Sequence, residues 1–433
     1  MITRKIEEKK QGNHTYYVVS EYDENGSPVG DKRVVYHLVK SVMADGEYTI
    51  FIFDQDGVDL KDAYRFLNYT KAGIAVSSRM ALAKELRICL DYADIVQKPF
   101  NKFDYKDFIR LSNFLSGKCI NTTETMYYLS ADKNINSVNS TLRTLQQYMK
   151  SCHYRNQGLI DRVVTKGQLP SGKNAECPRF ISYADMLKIH HYVTGDTSLT
   201  EEEKLKYDVI YRLMFDCGMR IGECLGSTIE DFEQGFDSEG ELVHTLIIRN
   251  RVSDTMFQHA KRCMQASSKD DYRSPNYSIK KYGYQEVLVP ETLYDDLIDY
   301  YDKATMRFYR KGKTMPIADS VKGSDENYYI FANEAIPSPL DKRSFSGYTR
   351  NMFKAIGLSV DTEKRDLNLF HRFRHGFCMW LIYVKELPLS QAIIYTRHRD
   401  VSGLQPYLNP TTEMVREVME QAQEGIDVYG AEV

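Results

Sequence analysis

The stretch FHRFRHGFCMWLIYVKELPLSQAIIYTRHRDVSGLQPYL, residues 370–408, gathers His371, Arg374, His375 and His398 ahead of Tyr407. His371 and Arg374 are spaced so that a helix would place both on one face, one turn apart. A histidine and a guanidinium aligned in this way can both donate to a single anion. His398 precedes Tyr407 closely, and Pro388 and Pro406 break the helices around them. Far upstream, MFDCGMRIGECL sets Arg220 at the start of a short helical segment with Glu223 one turn on. Taken alone, an exposed ion pair accounts for that spacing. His371 and His375 also have the spacing of two zinc ligands on a helix, but Arg372, Phe373 and Arg374 lie between them where a glutamate base would be needed, and cations repel a metal. Neither a metal nor a cofactor is expected.

In their order, spacing and helical context these segments resemble the tyrosine recombinases, the integrase family of site-specific DNA recombinases. MFDCGMRIGECL resembles the family's first arginine box. HRFRHGFCMWL, ELPLSQAIIYTRHRD and PYLNP resemble its second box, through the histidine and on to the nucleophile. The resemblance is strong over about residues 177–424, and the helix STLRTLQQYMK is similar to part of the family's core-binding domain. Residues 1–77 resemble only by position the arm-binding modules on integrases of mobile elements.

The resemblance implies that Tyr407 attacks a DNA phosphodiester, forms a 3′-phosphotyrosine and releases a 5′ hydroxyl, so that rejoining needs neither ATP nor metal. Attack builds negative charge on the nonbridging oxygens, and donors aimed there stabilise the transition state above the ground state. Arg220 and Arg374 are implied in that role, since a guanidinium stays charged and its fork matches phosphate. Tyrosine titrates near pH 10, so about one part in a thousand is phenolate at neutral pH. His371 and His398 are implied as the groups that take the phenol proton or donate to the phosphate, with the division between them left open. The leaving oxygen needs a proton from a lysine between the two boxes. Lys281 is favoured narrowly over Lys280, and Lys269 stays open because residues 251–278 interrupt the usual short hairpin. Arg397 stands where the family commonly has glycine, and Pro406 directly precedes Tyr407.

The implied partner is double-stranded DNA at recombination sites, bound by a homo-oligomer, a tetramer in the synaptic complex, with an accessory DNA-bending protein and no membrane. The implied activity is integration or excision of a mobile element. A type IB topoisomerase would use nearly the same residues without a specific site. A catalytically silent DNA-binding regulator would have no use for the nucleophile.

These residues need elements to hold them. The expected fold is multidomain and mainly α with small β-sheets: a β-rich N-terminal module (1–77), a helical core-binding domain (78–155), a linker (156–176) and a mixed, mostly helical catalytic domain (177–433) with a tail helix. HTYYVVSEY, DKRVVYHLV and EYTIFIFDQ read as strands separated by the turns Asn25-Gly26, Asp45-Gly46 and Asp56-Gly57. Asp54, Asp56 and Asp59 lack the distal glutamate of a calcium loop, which leaves a plain turn. Helical periodicity begins near Ser78, with Leu82, Leu86 and Cys89 on one face, then Phe108, Leu111 and Leu115, then Leu142, Leu145 and Met149. In and beside the linker, Arg162, Lys166, Lys173 and Arg179 could follow a phosphate backbone or simply keep the linker soluble. In the interrupted hairpin Lys261, Arg262, Arg273 and Lys280, with Tyr272, Tyr277 and Tyr282, could touch DNA phosphates and bases or belong to an ordinary solvated loop. Thr200 and Glu203 form a capping-box signature. Strands are expected at ELVHTLIIRN and YQEVLVP, and TTEMVREVMEQAQEG reads as a tail helix that docks in cis or in trans.

At 27% charged residues and 42% hydrophobic, the composition is that of a globular protein, and no apolar run reaches the roughly 18 residues of a membrane span. MITRKIEEKKQG lacks a secretory apolar stretch, so a cytoplasmic, nucleoid-associated protein is expected. The eight cysteines form no C-x-x-C pair, which points to reduced thiols. A net charge of −3 does not advertise a polyanion partner, so local clustering of cations has to decide.

Overall fold

Alternation of side chains in the first residues builds a hairpin whose inward face is small. In the computed structural model, strands β1 (Thr3–Gln11) and β2 (His14–Tyr22) pair antiparallel with Thr3 opposite Tyr22, and Ile6, Tyr17 and Val19 are buried. The structure describes residues 2–12, 14–44, 47–122, 124–129, 134–164, 177–255, 257–360 and 369–410, together with 412, 415 and 416. They form two compact units, 1–169 and 170–433.

In the first unit β3 (Arg33–Val35) extends the sheet beyond β2, and β4 (Leu38–Ala44) pairs with β5 (Glu47–Phe53) in a separate hairpin. Asp54 spends its carboxylate on the backbone N–H groups of Asp56 and Val58, the plain turn expected there. Helix α1 (Lys61–Arg65) runs into a π turn, and α2 (Val76–Val96), α3 (Tyr105–Ser116) and α4 (Ile135–Ser151) follow. Between α3 and α4, β6 (Thr125–Tyr128) returns to pair in parallel with β1.

The break expected at residue 77 is not seen in the packing. A four-stranded sheet with so few apolar residues cannot close a core alone, and Ile6, Val35, Ile50 and Ile52 share one continuous cluster with Leu86, Cys89, Leu111 and Leu142. His37 seals the junction, its Nδ1 2.9 Å from the buried Asp91 carboxylate on α2. The expected linker also starts later than residue 156: residues 155–162 form a 3-10 turn with Ile160 in the core, and the Asn156 amide donates to the carbonyls of Phe100 and Phe103.

The second unit opens with α5 (Tyr183–Gly195) and α6 (Glu201–Phe215), the latter capped reciprocally by Thr200 and Glu203 as their spacing predicts. Helix α7 (Ile221–Leu225) leads to the antiparallel sheet β7 (Phe232–Phe236), β8 (Leu242–Arg249) and β9 (Tyr284–Val289), ordered β7-β8-β9. Helices α8 (Glu291–Arg310), α9 (Lys342–Ala355), α10 (His371–Met379) and α11 (Leu389–Thr396) complete it. A core of Val209, Leu213, Leu246, Leu297, Phe345 and Phe373 packs α6 against α8 and α10, and α8 against β8.

Both units are thus mainly helical with small sheets, and among the described residues no helix is long and apolar enough to cross a membrane. The expected tail helix falls almost wholly outside the described residues, as do Asp45-Gly46, Lys166 and Lys173.

Candidate active site

Two glycines let α10 approach its neighbours closely. Gly218 turns the chain after α6 with φ +58°, and a Cβ there would lie 2.2 Å from the Phe377 ring. On α10 itself, a Cβ on Gly376 would lie 2.2 Å from the Ile181 carbonyl oxygen. The Gly218 carbonyl then accepts from two guanidinium groups, Arg374 of α10 and, at 3.0 Å, Arg397 just beyond α11. Arg374 also donates to the Thr396 carbonyl, so one buried side chain joins α10, the Gly218 turn and the end of α11. Burial, with Arg220 and Arg397 nearby, pulls Arg374 down to about 10, which leaves it charged at neutral pH.

Arg220 occupies the N-cap position of α7, where its backbone N–H donates to Glu223 Oε2 at 2.9 Å and its guanidinium to Oε1 at 2.7 Å. The exposed ion pair suggested by the spacing is in fact buried on the carboxylate side, because Arg397 covers Glu223 and pairs with Oε2 at 3.0 Å. Burial alone would raise the Glu223 carboxyl, but Arg397, Arg220 and Arg374 overcome it and hold the group at about 2. One carboxylate among three guanidinium groups leaves a net positive cluster, a setting that favours an anion. Arg397 has φ +54°, a left-handed conformation that costs a residue with a Cβ roughly 1–2 kcal/mol. Its pairing with Glu223 and Gly218 offsets that cost, which explains how arginine stands at this turn.

The histidines line the same cluster. The rings of His371 and His375 are nearly parallel with centroids 5.7 Å apart. His375 Nδ1 lies 2.9 Å from the Arg179 carbonyl, which can only accept, so Nδ1 carries the proton. His398 Nδ1 lies 2.8 Å from Thr396 Oγ1. Burial, then His375, Arg220, Arg374 and Lys261, lower His371 to about 4; burial, then Arg374, Arg220 and Arg262, lower His398 to about 3. Both are neutral at pH 7, and each can accept a proton.

This arrangement fixes the sign of a pH dependence. An unfolded histidine titrates near 6.5, so below that pH the unfolded chain takes up protons that the folded one refuses until about pH 4. The contribution of these two histidines to stability is therefore fully present above pH 6.5 and is lost as the pH falls through this window. Thermal melting should show Tm dropping between pH 7 and pH 4.5, with a shallower slope in His398→Asn. Parallel slopes for the two proteins would show that His398 is not held neutral by its surroundings.

Tyr407 sits in a 3-10 turn, Gln405–Leu408, that Pro406 helps to start. It is only 4% exposed and packs with Phe180, Cys378, Met379, Ala392 and Leu404. Its ring meets His375 edge-on at 5.8 Å, its carbonyl accepts from Tyr383 Oη at 2.8 Å, and its hydroxyl contacts the Cys378 thiol. Burial first, then Cys378, push the phenol well above its ordinary value, while Arg374 opposes the shift.

The structure therefore brings Arg220, His371, Arg374, His398 and Tyr407 together. Lys281, with φ +75°, and Lys280 lie just before β9 and border a cavity of about 980 Å³ that Arg262, His398 and Arg399 also line. The Lys280 ammonium is engaged by Glu286, which favours Lys281 of the two. Lys269 and Arg273 lie in an exposed 3-10 turn (Lys269–Arg273) and do not border this cavity. Arg162 is an exposed residue of the first unit. Among the described residues no group of three or more histidine, cysteine or carboxylate side chains forms a metal site.

Sequence reasoning missed the burial of Glu223 and the pairing of Arg397, and it read Arg262 as a DNA contact or a solvated-loop cation rather than as a donor to the Arg397 carbonyl. The Arg220–Glu223 spacing was a visible signal for the first.

No family model matches the chain, and no curated protein matches it in sequence. Among solved structures, the chain is similar to XerA recombinase at 14% identity, covering 84% of this chain and 98% of that one with a TM-score of 0.34. It is similar to the XerH site-specific recombinase bound to its difH substrate at 12% identity, covering 84% and 85% with a TM-score of 0.49. It is also similar to the Tn1549 transposon integrase in complex with transposon right end DNA, at 15% identity, covering 84% and 98% with a TM-score of 0.49.

Proposed function

We propose that the chain is a site-specific tyrosine recombinase that cleaves and rejoins DNA through a 3′-phosphotyrosine, in the integration or excision of a mobile element. The observation that carries this reading is the convergence of Arg220 and Arg374 with two neutral histidines and Tyr407, around a single carboxylate already held by three cations.

In this reading Arg220 and Arg374 receive the nonbridging oxygens of the scissile phosphate, where charge grows during attack. His371 or His398, neutral before DNA arrives, takes the Tyr407 proton, and the phosphate anion then stabilises the resulting imidazolium. The phenolate displaces the 5′ oxygen from phosphorus, and Lys281 gives that oxygen its proton. Rejoining reverses each transfer. Two protomers of a DNA-bound tetramer cleave at a time, with a DNA-bending protein as accessory partner.

Covalent capture tests the reading. Incubated with sheared DNA from the source organism and denatured in detergent, the protein should retain DNA from a few inverted-repeat sites. Adducts scattered over all sequences would replace the recombinase by a topoisomerase, and a complete absence of adduct would leave a DNA-binding regulator.

A further inference from the structure

The residues between β8 and β9 form a built wall beside the site. Asn250, buried at the end of β8, donates its amide to the carbonyls of Ala260 and Cys263, both at 2.9 Å, and accepts from Ala260 N at 2.8 Å. Its own carbonyl accepts from the buried Tyr277 hydroxyl. The next residue, Arg251, is fully buried and bridges Glu230 and Asp231 at 2.9 and 2.8 Å while donating to the Asp319 carbonyl. Residues 260–263 are therefore held to the body of the unit on both sides.

From this held stretch Arg262 reaches the carbonyl of Arg397 at 2.7 Å. That carbonyl belongs to the left-handed residue directly before His398, and Arg262 borders the same cavity as His398. The side chain of Arg397 is fixed by Glu223 and Gly218; its carbonyl is fixed by Arg262. We infer that Arg262 is a positioning residue for the strand-cleavage chemistry proposed above: by holding the left-handed turn at Arg397, it aims His398 into the site. The inference rests on the recombinase reading for its chemistry, while the hold on the turn can be examined without DNA.

The experiment compares wild type, Arg262→Met and Arg262→Lys in two ways. The first is the single-turnover rate of adduct formation on the DNA fragments that the wild type captures, with affinity for those fragments measured in a Tyr407→Phe background. The second is the ring resonance of His398 in DNA-free protein, assigned with His398→Asn. Arg262→Met should form adduct about a hundredfold more slowly, the scale expected for misplacing a reacting group by about an ångström. Its DNA affinity should be unchanged and its His398 resonance displaced.

Arg262→Lys keeps the charge and a donor without the planar fork, so it should lie between wild type and Arg262→Met in both readings. It becomes the deciding variant if Arg262→Met does not fold. A slower rate with His398 unmoved, a displaced His398 at the wild-type rate, or a wild-type value for both overturns the inference. Loss of DNA affinity in step with rate also overturns it, making Arg262 a phosphate contact. If wild type forms no adduct at all, the recombinase reading fails while the His398 resonance still reports on the hold.

Discussion

Tyr407→Phe should lose covalent attachment to DNA altogether and keep the DNA affinity of the wild type. The substitution removes one oxygen from a side chain whose ring stays packed on Phe180, Met379, Ala392 and Leu404, so the fold should survive it. The hydroxyl contacts the Cys378 thiol, and its loss should cost about 1 kcal/mol of stability or less. Chemistry loses everything, because no other group would form the phosphodiester link to protein. The measurement is a denaturing gel of labelled DNA from captured sites, with binding followed in parallel. A retained adduct would move the nucleophile to another residue. In the arrangement described, burial holds the phenol protonated and turned to Cys378. In the proposed reaction, attack would require the Gln405–Leu408 turn to present the hydroxyl to a histidine, and access of a phosphate to this pocket should set the rate.

How much could be read in advance depended on how local the determining contacts were. The capping box at Thr200, the strands at β2, β5, β8 and β9, and the helices carrying the two boxes all follow from patterns within a few residues. Strand β1 was missed because TRKIEEKKQ has a single buried apolar residue, Ile6, and its charges pair along and across the sheet, as Arg4 does with Glu21 and Lys5 with Glu7. The four residues of β6 join it from between two helices, a pairing of distant segments that no local pattern encodes. That pairing, together with the shared core, merges the two domains expected on either side of residue 77.

The site divides in the same way. His371 and Arg374 share a turn of α10, so their alignment was visible in the spacing. The hold of Arg262 on Arg397 spans about half of the second unit in sequence, and the Glu223 carboxylate is covered by Arg397, which arrives from beyond α11. Tyr272 and Tyr277 read as surface aromatics free to meet bases; instead Tyr272 bonds Asp319 and Tyr277 bonds Asn250, both turned inward to fix the wall.

Arg374→Ala should reduce adduct formation by a hundredfold to a thousandfold and also lower Tm, whereas Arg220→Ala should reduce the rate comparably with a smaller change in Tm. Both arginines are assigned to the same phosphate, so the shared loss of rate follows from removing one transition-state donor. The difference in stability follows from their burial. Arg374 is 3% exposed and supplies donors to the Gly218 and Thr396 carbonyls; when it is truncated Gly218 keeps Arg397, but the Thr396 carbonyl loses this donor and the buried side chain leaves a void. Arg220 is half-buried and its partner Glu223 keeps Arg397 after truncation. Arg374→Lys separates charge from geometry: an ammonium restores the positive field but cannot span two carbonyls and a phosphate as the planar fork does, so its rate should stay well below wild type. Single-turnover adduct formation and thermal melting on the same preparations measure both effects. Full activity in Arg374→Lys would reduce the role of this residue to its charge, and full activity in Arg374→Ala would remove it from the chemistry.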